Sequence, residues 1–76
     1  MNKVRRKALQ EIADQITDLR EQLETLKDEE EEYRDNMPEN LHGSERYEKA
    51  DEAVSNLDDA LSSMEEAVSS IESSIE

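Results

Sequence analysis

From Tyr47 onward the apolar residues Ala50, Val54, Leu57, Leu61, Met64, Val68, Ile71 and Ile75 recur in alternating steps of three and four. This is a heptad stripe, the pattern of a helix that lays one narrow face against another. Leu9, Ile12, Ile16, Leu19, Leu23 and Leu26 repeat the alternation in the first half, and it continues through Glu30 to Tyr33. The period predicts helices over about residues 2–35 and 44–75.

The stretch between them, residues 36–43, carries the turn signals. Asn36 and Pro38 end the first helix, because proline has no amide hydrogen and pushes the residue before it out of the helical region. Gly43 is expected to relax the backbone just ahead of Ser44, whose hydroxyl suits a helix N-cap, and Glu45 and Glu48 complement the positive end of that helix dipole. Two helices of similar length and a short loop predict an all-α fold, an antiparallel two-helix coiled-coil hairpin forming one domain over residues 1–76.

Folding the chain about position 40 matches both ends of both stripes. Tyr33 then faces Tyr47, Leu26 faces Val54, Leu23 faces Leu57, Leu19 faces Leu61, Ile16 faces Met64, Ile12 faces Val68 and Leu9 faces Ile71. The flanking columns give Arg6 with Glu72, Ala13 with Glu65, Arg20 with Asp58, Lys27 with Asp51, and Arg34 with Ser44. No like charges meet, so the flanks are expected to disfavour other registers.

Composition alone points elsewhere. With 41% charged residues, two tyrosines as the aromatic content and a formal net charge of -13, the chain falls among disordered sequences; the unbroken heptads override that. There is no cysteine, so no disulfide or thiolate metal site forms. The basic start resembles a secretory leader only until Gln10, Glu11 and Asp14 interrupt it, and no apolar run reaches the roughly 20 residues of a membrane span. A cytoplasmic chain without membrane contact is expected.

Candidate chemistry is sparse. Glu39 and His42 have the spacing of a di-iron bundle motif, but such sites need two of them on facing helices. The acidic run lacks the alternating ligands and glycine of a calcium loop. The serines, mostly on the outer face of the second helix, have no neighbouring base to activate one. No metal, no cofactor and no enzymatic activity are expected.

Charge distribution is more informative. Outward positions of the first helix carry Asp14, Glu21, Asp28 and Asp35, flanked by Asp18, Glu24, Glu31 and Glu32. The second helix presents Glu45, Glu52, Asp59 and Glu66. Neighbours on a helix face lie about 5–6 Å apart, and each DNA strand carries a phosphate about every 3.4 Å. A carboxylate-covered rod thus offers a ladder of negative charge to a basic protein surface, such as the groove of a nucleic-acid-binding protein. The four cations Lys3, Arg5, Arg6 and Lys7 are expected to be compensated by Glu72, Glu76 and the end of the second helix, leaving no direct contact with nucleic acid.

Ala53, Ala60 and Ala67 recur every seven residues beside the second stripe and widen it to three positions in seven, as in bundles of more than two helices. They predict self-association, as a homodimer that closes a four-helix bundle.

The stretch EEEEYRDNMPENLHGSERYEKADEAVSNLDDALSSMEEAV, residues 29–68, resembles small acidic helical-hairpin proteins of Firmicutes and their phages or mobile elements. The resemblance covers the basic first helix only loosely. It implies a recurring hairpin with an NMPENL-type turn and a SERYEKA-type helix start, and its setting raises the expectation of a phage-type inhibitor. Two functions therefore stand. One is a nucleic-acid-mimicking inhibitor of the anti-restriction or anti-CRISPR kind, acting by steric and electrostatic competition; the other is a structural or adaptor module that oligomerises.

Overall fold

The computed structural model describes residues 1–76 as helix α1 (Lys3–Asp35) and helix α2 (Glu45–Ile75), packed against each other and joined by a loop that contains one 3-10 turn, Glu39–Leu41. The fold is the expected all-helical hairpin, a rod with Cα extents of 59 × 15 × 13 Å.

Capping explains where the helices begin. Asn2 Oδ1 accepts from the Arg5 amide at 2.7 Å, and Ser44 Oγ accepts from the Tyr47 amide at 3.2 Å. Each satisfies one of the amides a helix start leaves unpaired; removing the Ser44 hydroxyl costs about 1 kcal/mol. At the other end of α1 the Asn36 and Met37 amides donate back to Glu32 and Arg34 carbonyls at 2.9 and 3.2 Å, after which Pro38 has no hydrogen to donate.

The loop is held by more than its backbone. Met37 is buried, His42 Nε2 donates to the Met37 carbonyl at 3.1 Å, and the His42 ring stacks on Tyr47 with centroids 4.6 Å apart. Tyr47, on the first turn of α2, is thereby tied to the loop, whereas the sequence pattern set it against Tyr33. Gly43 differs from expectation as well: its φ is not positive, and a Cβ there would meet nothing within 4 Å. Its conformational freedom is not needed at this turn.

The seam corrects the expected register. Arg20 pairs with Glu65, Lys27 with Asp58 and Arg34 with Asp51, each partner lying seven residues farther along α2 than predicted. α1 is also rotated. Its covered positions include Leu9, Ala13, Ile16, Arg20, Leu23, Lys27, Glu30 and Arg34, whereas Ile12, Leu19, Leu26 and Tyr33 remain 46 to 58% exposed. Ala13, expected on the flank, is the most buried side chain at 1% exposure. The physical reason is that Ala13 lets α2 approach closely, while the aliphatic stems of Arg20, Lys27 and Arg34 cover the seam and carry their charges out to α2 acids. From α2 the same seam receives Ala50, Val54 and Leu61, all buried.

One heptad of sliding has a consequence at the open end. The last turn of α2 comes level with about Leu9 and Gln10, so residues 1–8 of α1 project beyond it. All eight are exposed, Val4 by 80%.

Candidate partner-binding surface

Three kinds of surface result from this rotated seam. On one side of it lie the three α1 bases. Lys27 Nζ sits 3.2 Å from Asp58, 3.4 Å from Glu31 and 3.7 Å from Asp28. Arg34 reaches Asp51 at 2.9 Å, Asp35 at 3.0 Å and Glu31 at 3.8 Å. Arg20 bonds Glu65 and lies 3.4 Å from Glu24, with its Nε buried and unpartnered. The hydrogen bond to Asp58 holds the Lys27 ammonium above the usual lysine range against a smaller opposing effect of burial, and Coulombic attraction to Asp58 and Glu31 adds to it. Asp35, followed by Asp51, raises the Arg34 guanidinium in the same sense.

These pairs sort the predicted acidic residues. Glu24, Asp28, Glu31 and Asp35 are each paired to an α1 base, and Glu45 is paired to Lys49 at 3.1 Å. Asp14 accepts from the Gln10 side-chain amide at 3.0 Å. Asp18, Glu21, Glu32, Glu52, Asp59 and Glu66 are exposed and take part in no ion pair. The carboxylates without an ion pair thus run along both outer faces, and the middle of the rod has no free cation on α1.

The basic end behaves differently from expectation. Lys3, Arg5, Arg6 and Lys7 form no ion pair with Glu72, Glu76 or any other acid, because the slide has carried α2 short of them. The rod is therefore polar along its length, with four free cations at the open end and the acidic run Asp28–Asp35 near the loop.

The third surface is apolar. Ala53 and Ala60 are half-buried and Ala67 is exposed, beside the seam as predicted. Tyr33 and Ala53 line one open groove together with Glu30, Lys49 and Ala50, so the exposed α1 column and the alanine column of α2 flank the seam on the same side. Sequence reasoning put Ile12, Leu19, Leu26 and Tyr33 into the seam itself. The missed signal was a second alternation of threes and fours, from Leu9 through Ala13, Ile16 and Arg20 to Arg34, whose bases match the acids of α2.

Comparison of the chain with protein-family models, with curated proteins and with solved structures gives no match.

Proposed function

We propose that this hairpin is a non-enzymatic protein-binding rod whose outer carboxylates occupy a basic groove that otherwise takes nucleic acid, as an inhibitor of the anti-restriction or anti-CRISPR kind does. The observation that carries this reading is the disposition of charge: α1 bases are turned onto α2 acids across the seam, while Glu21, Glu52, Asp59 and Glu66 stand outward without an ion pair. Carboxylates fixed on stiff helices present their charge with little ordering cost on binding. They also steer association toward a surface of opposite sign.

The test captures the partner from a lysate and measures its binding to nucleic acid with the hairpin added. Wild type is expected to displace nucleic acid, with affinity falling steeply as salt rises, since exposed charges are screened over about 10 Å at 0.1 M. The triple variant Glu52→Lys, Asp59→Lys, Glu66→Lys is expected to lose this competition while retaining its helicity. Equal potency of the two proteins rejects the reading.

A second reading, an oligomerising adaptor, is supported by a different observation: the column of large apolar side chains left half-exposed on α1.

A further inference from the structure

Arg5, Ile12, Leu19, Leu26 and Tyr33 follow one another every seven residues and so form a single column along α1. Its four apolar members are 46 to 58% exposed, although the seam lies immediately beside them. A contiguous apolar strip of this length on a small chain marks a contact surface. The alanines of α2 continue the strip on its far side, where small side chains allow another helix to come close.

We infer that this face is covered by a second copy of the same chain, laid antiparallel so that α1 packs on α1 and the two loops lie at opposite ends. Charge selects the occupant and its direction. Each copy carries four free cations on its projecting end and a run of acids near its loop. Parallel stacking brings the two acidic runs together, whereas the antiparallel arrangement sets the cationic end of each copy on the acidic run of the other.

The columns also give a register. Pairing about Leu19 sets Ile12 against Leu26 of the second copy. Arg5 then meets the face of Tyr33, a favourable cation–π arrangement, beside Glu32, which is exposed and has no ion pair within its own chain. The strip from Arg5 to Tyr33 runs about 42 Å along α1 at about 1.5 Å per residue. The columns of Asp14 and Glu21 on α1 point almost directly away from this contact, so the pairing is independent of the proposed competition with nucleic acid.

Sedimentation equilibrium of the full chain, from low to high micromolar, tests the inference. Wild type is expected to reach the mass of two chains. Leu19→Lys, which sets two cations against each other at the centre, is expected to give one chain with an unchanged circular dichroism spectrum. Arg5→Glu alone and Glu32→Arg alone are each expected to weaken the dimer at least tenfold, and the combined variant to restore it. A one-chain mass for wild type at every concentration overturns the inference and assigns the face to a different protein. A dimer indifferent to Leu19→Lys, or a combined variant no tighter than the single ones, overturns the face or the antiparallel register respectively.

Discussion

Arg34 donates to Asp51 across the hairpin at 2.9 Å, one full heptad beyond Ser44, the residue that the stripe ends alone assign to it. Antiparallel heptads fit in phase at every slide of seven residues, so the charged flank distinguishes the registers. Lys27→Glu and Asp58→Lys are each expected to lower the melting temperature, and their combination to recover most of the loss. Lys27→Glu combined with Asp51→Lys is expected to recover little. Thermal melts of the four variants and wild type, followed by circular dichroism, decide between the two slides.

Leu61 and Leu19 were expected to face each other, and the structure separates them: Leu61 is 7% exposed and Leu19 54%. Leu61→Ala is expected to cost about 2–5 kcal/mol, from lost transfer energy and the cavity left behind. Leu19→Ala, measured at low micromolar concentration, is expected to cost about 1 kcal/mol or less. Urea titrations giving equal losses would return Leu19 to the core.

Lys27 links stability to alkaline pH. Asp58, Glu31 and Asp28 surround its ammonium, and its pKa is raised from the ordinary 10.5. A group held above its free-chain value binds its proton more tightly when folded. Its contribution is complete below 10.5 and is lost as the pH climbs through the higher folded value. Lys27→Arg keeps its charge through that window, so its melting temperature is expected to fall less above pH 10.5 than that of wild type. Parallel curves through pH 12 would show that this ammonium contributes nothing to the hairpin.

Gly43 offers a gain. With no positive φ and open space where a Cβ would stand, Gly43→Ala restricts the unfolded chain without straining the folded one. It is expected to stabilise the hairpin by about 0.4–1 kcal/mol. A lowered urea midpoint would mean that the turn relies on glycine after all.

The two helices were legible because their signals are local. Ser44 with its following acids, and Pro38 after the last periodic residue, place the ends within a residue of Lys3–Asp35 and Glu45–Ile75. What lies between the helices was legible only modulo seven. The rotation of α1 was hidden for another reason: a hydrophobic stripe counts leucines and ignores an alanine or the methylenes of lysine and arginine. Here Ala13, Arg20, Lys27 and Arg34 form half of the α1 contact line, and four leucine-type positions are displaced to the surface. The outward position of Glu21, Glu52, Asp59 and Glu66 was legible, because every rotation that buries an apolar stripe leaves them facing solvent.

The cross-helix pairs also set an order of assembly. Arg34 and Asp51 are 17 residues apart in the chain, while Arg20 and Glu65 are more than twice as far apart. Each doubling of a closed loop costs about 0.6 kcal/mol in chain entropy, so contacts beside the turn close first and each shortens the loop that the next must close. The hairpin zips from its loop, where Ser44, His42 and Tyr47 already fix the bend, toward the basic end. In the single chain at low micromolar concentration, amide exchange should therefore be graded along the rod, slow for amides next to the turn and fast at residues 3–8, which have no helix of their own chain opposite them. Motion is thereby concentrated at the end that carries the free cations, and the acidic end is held still.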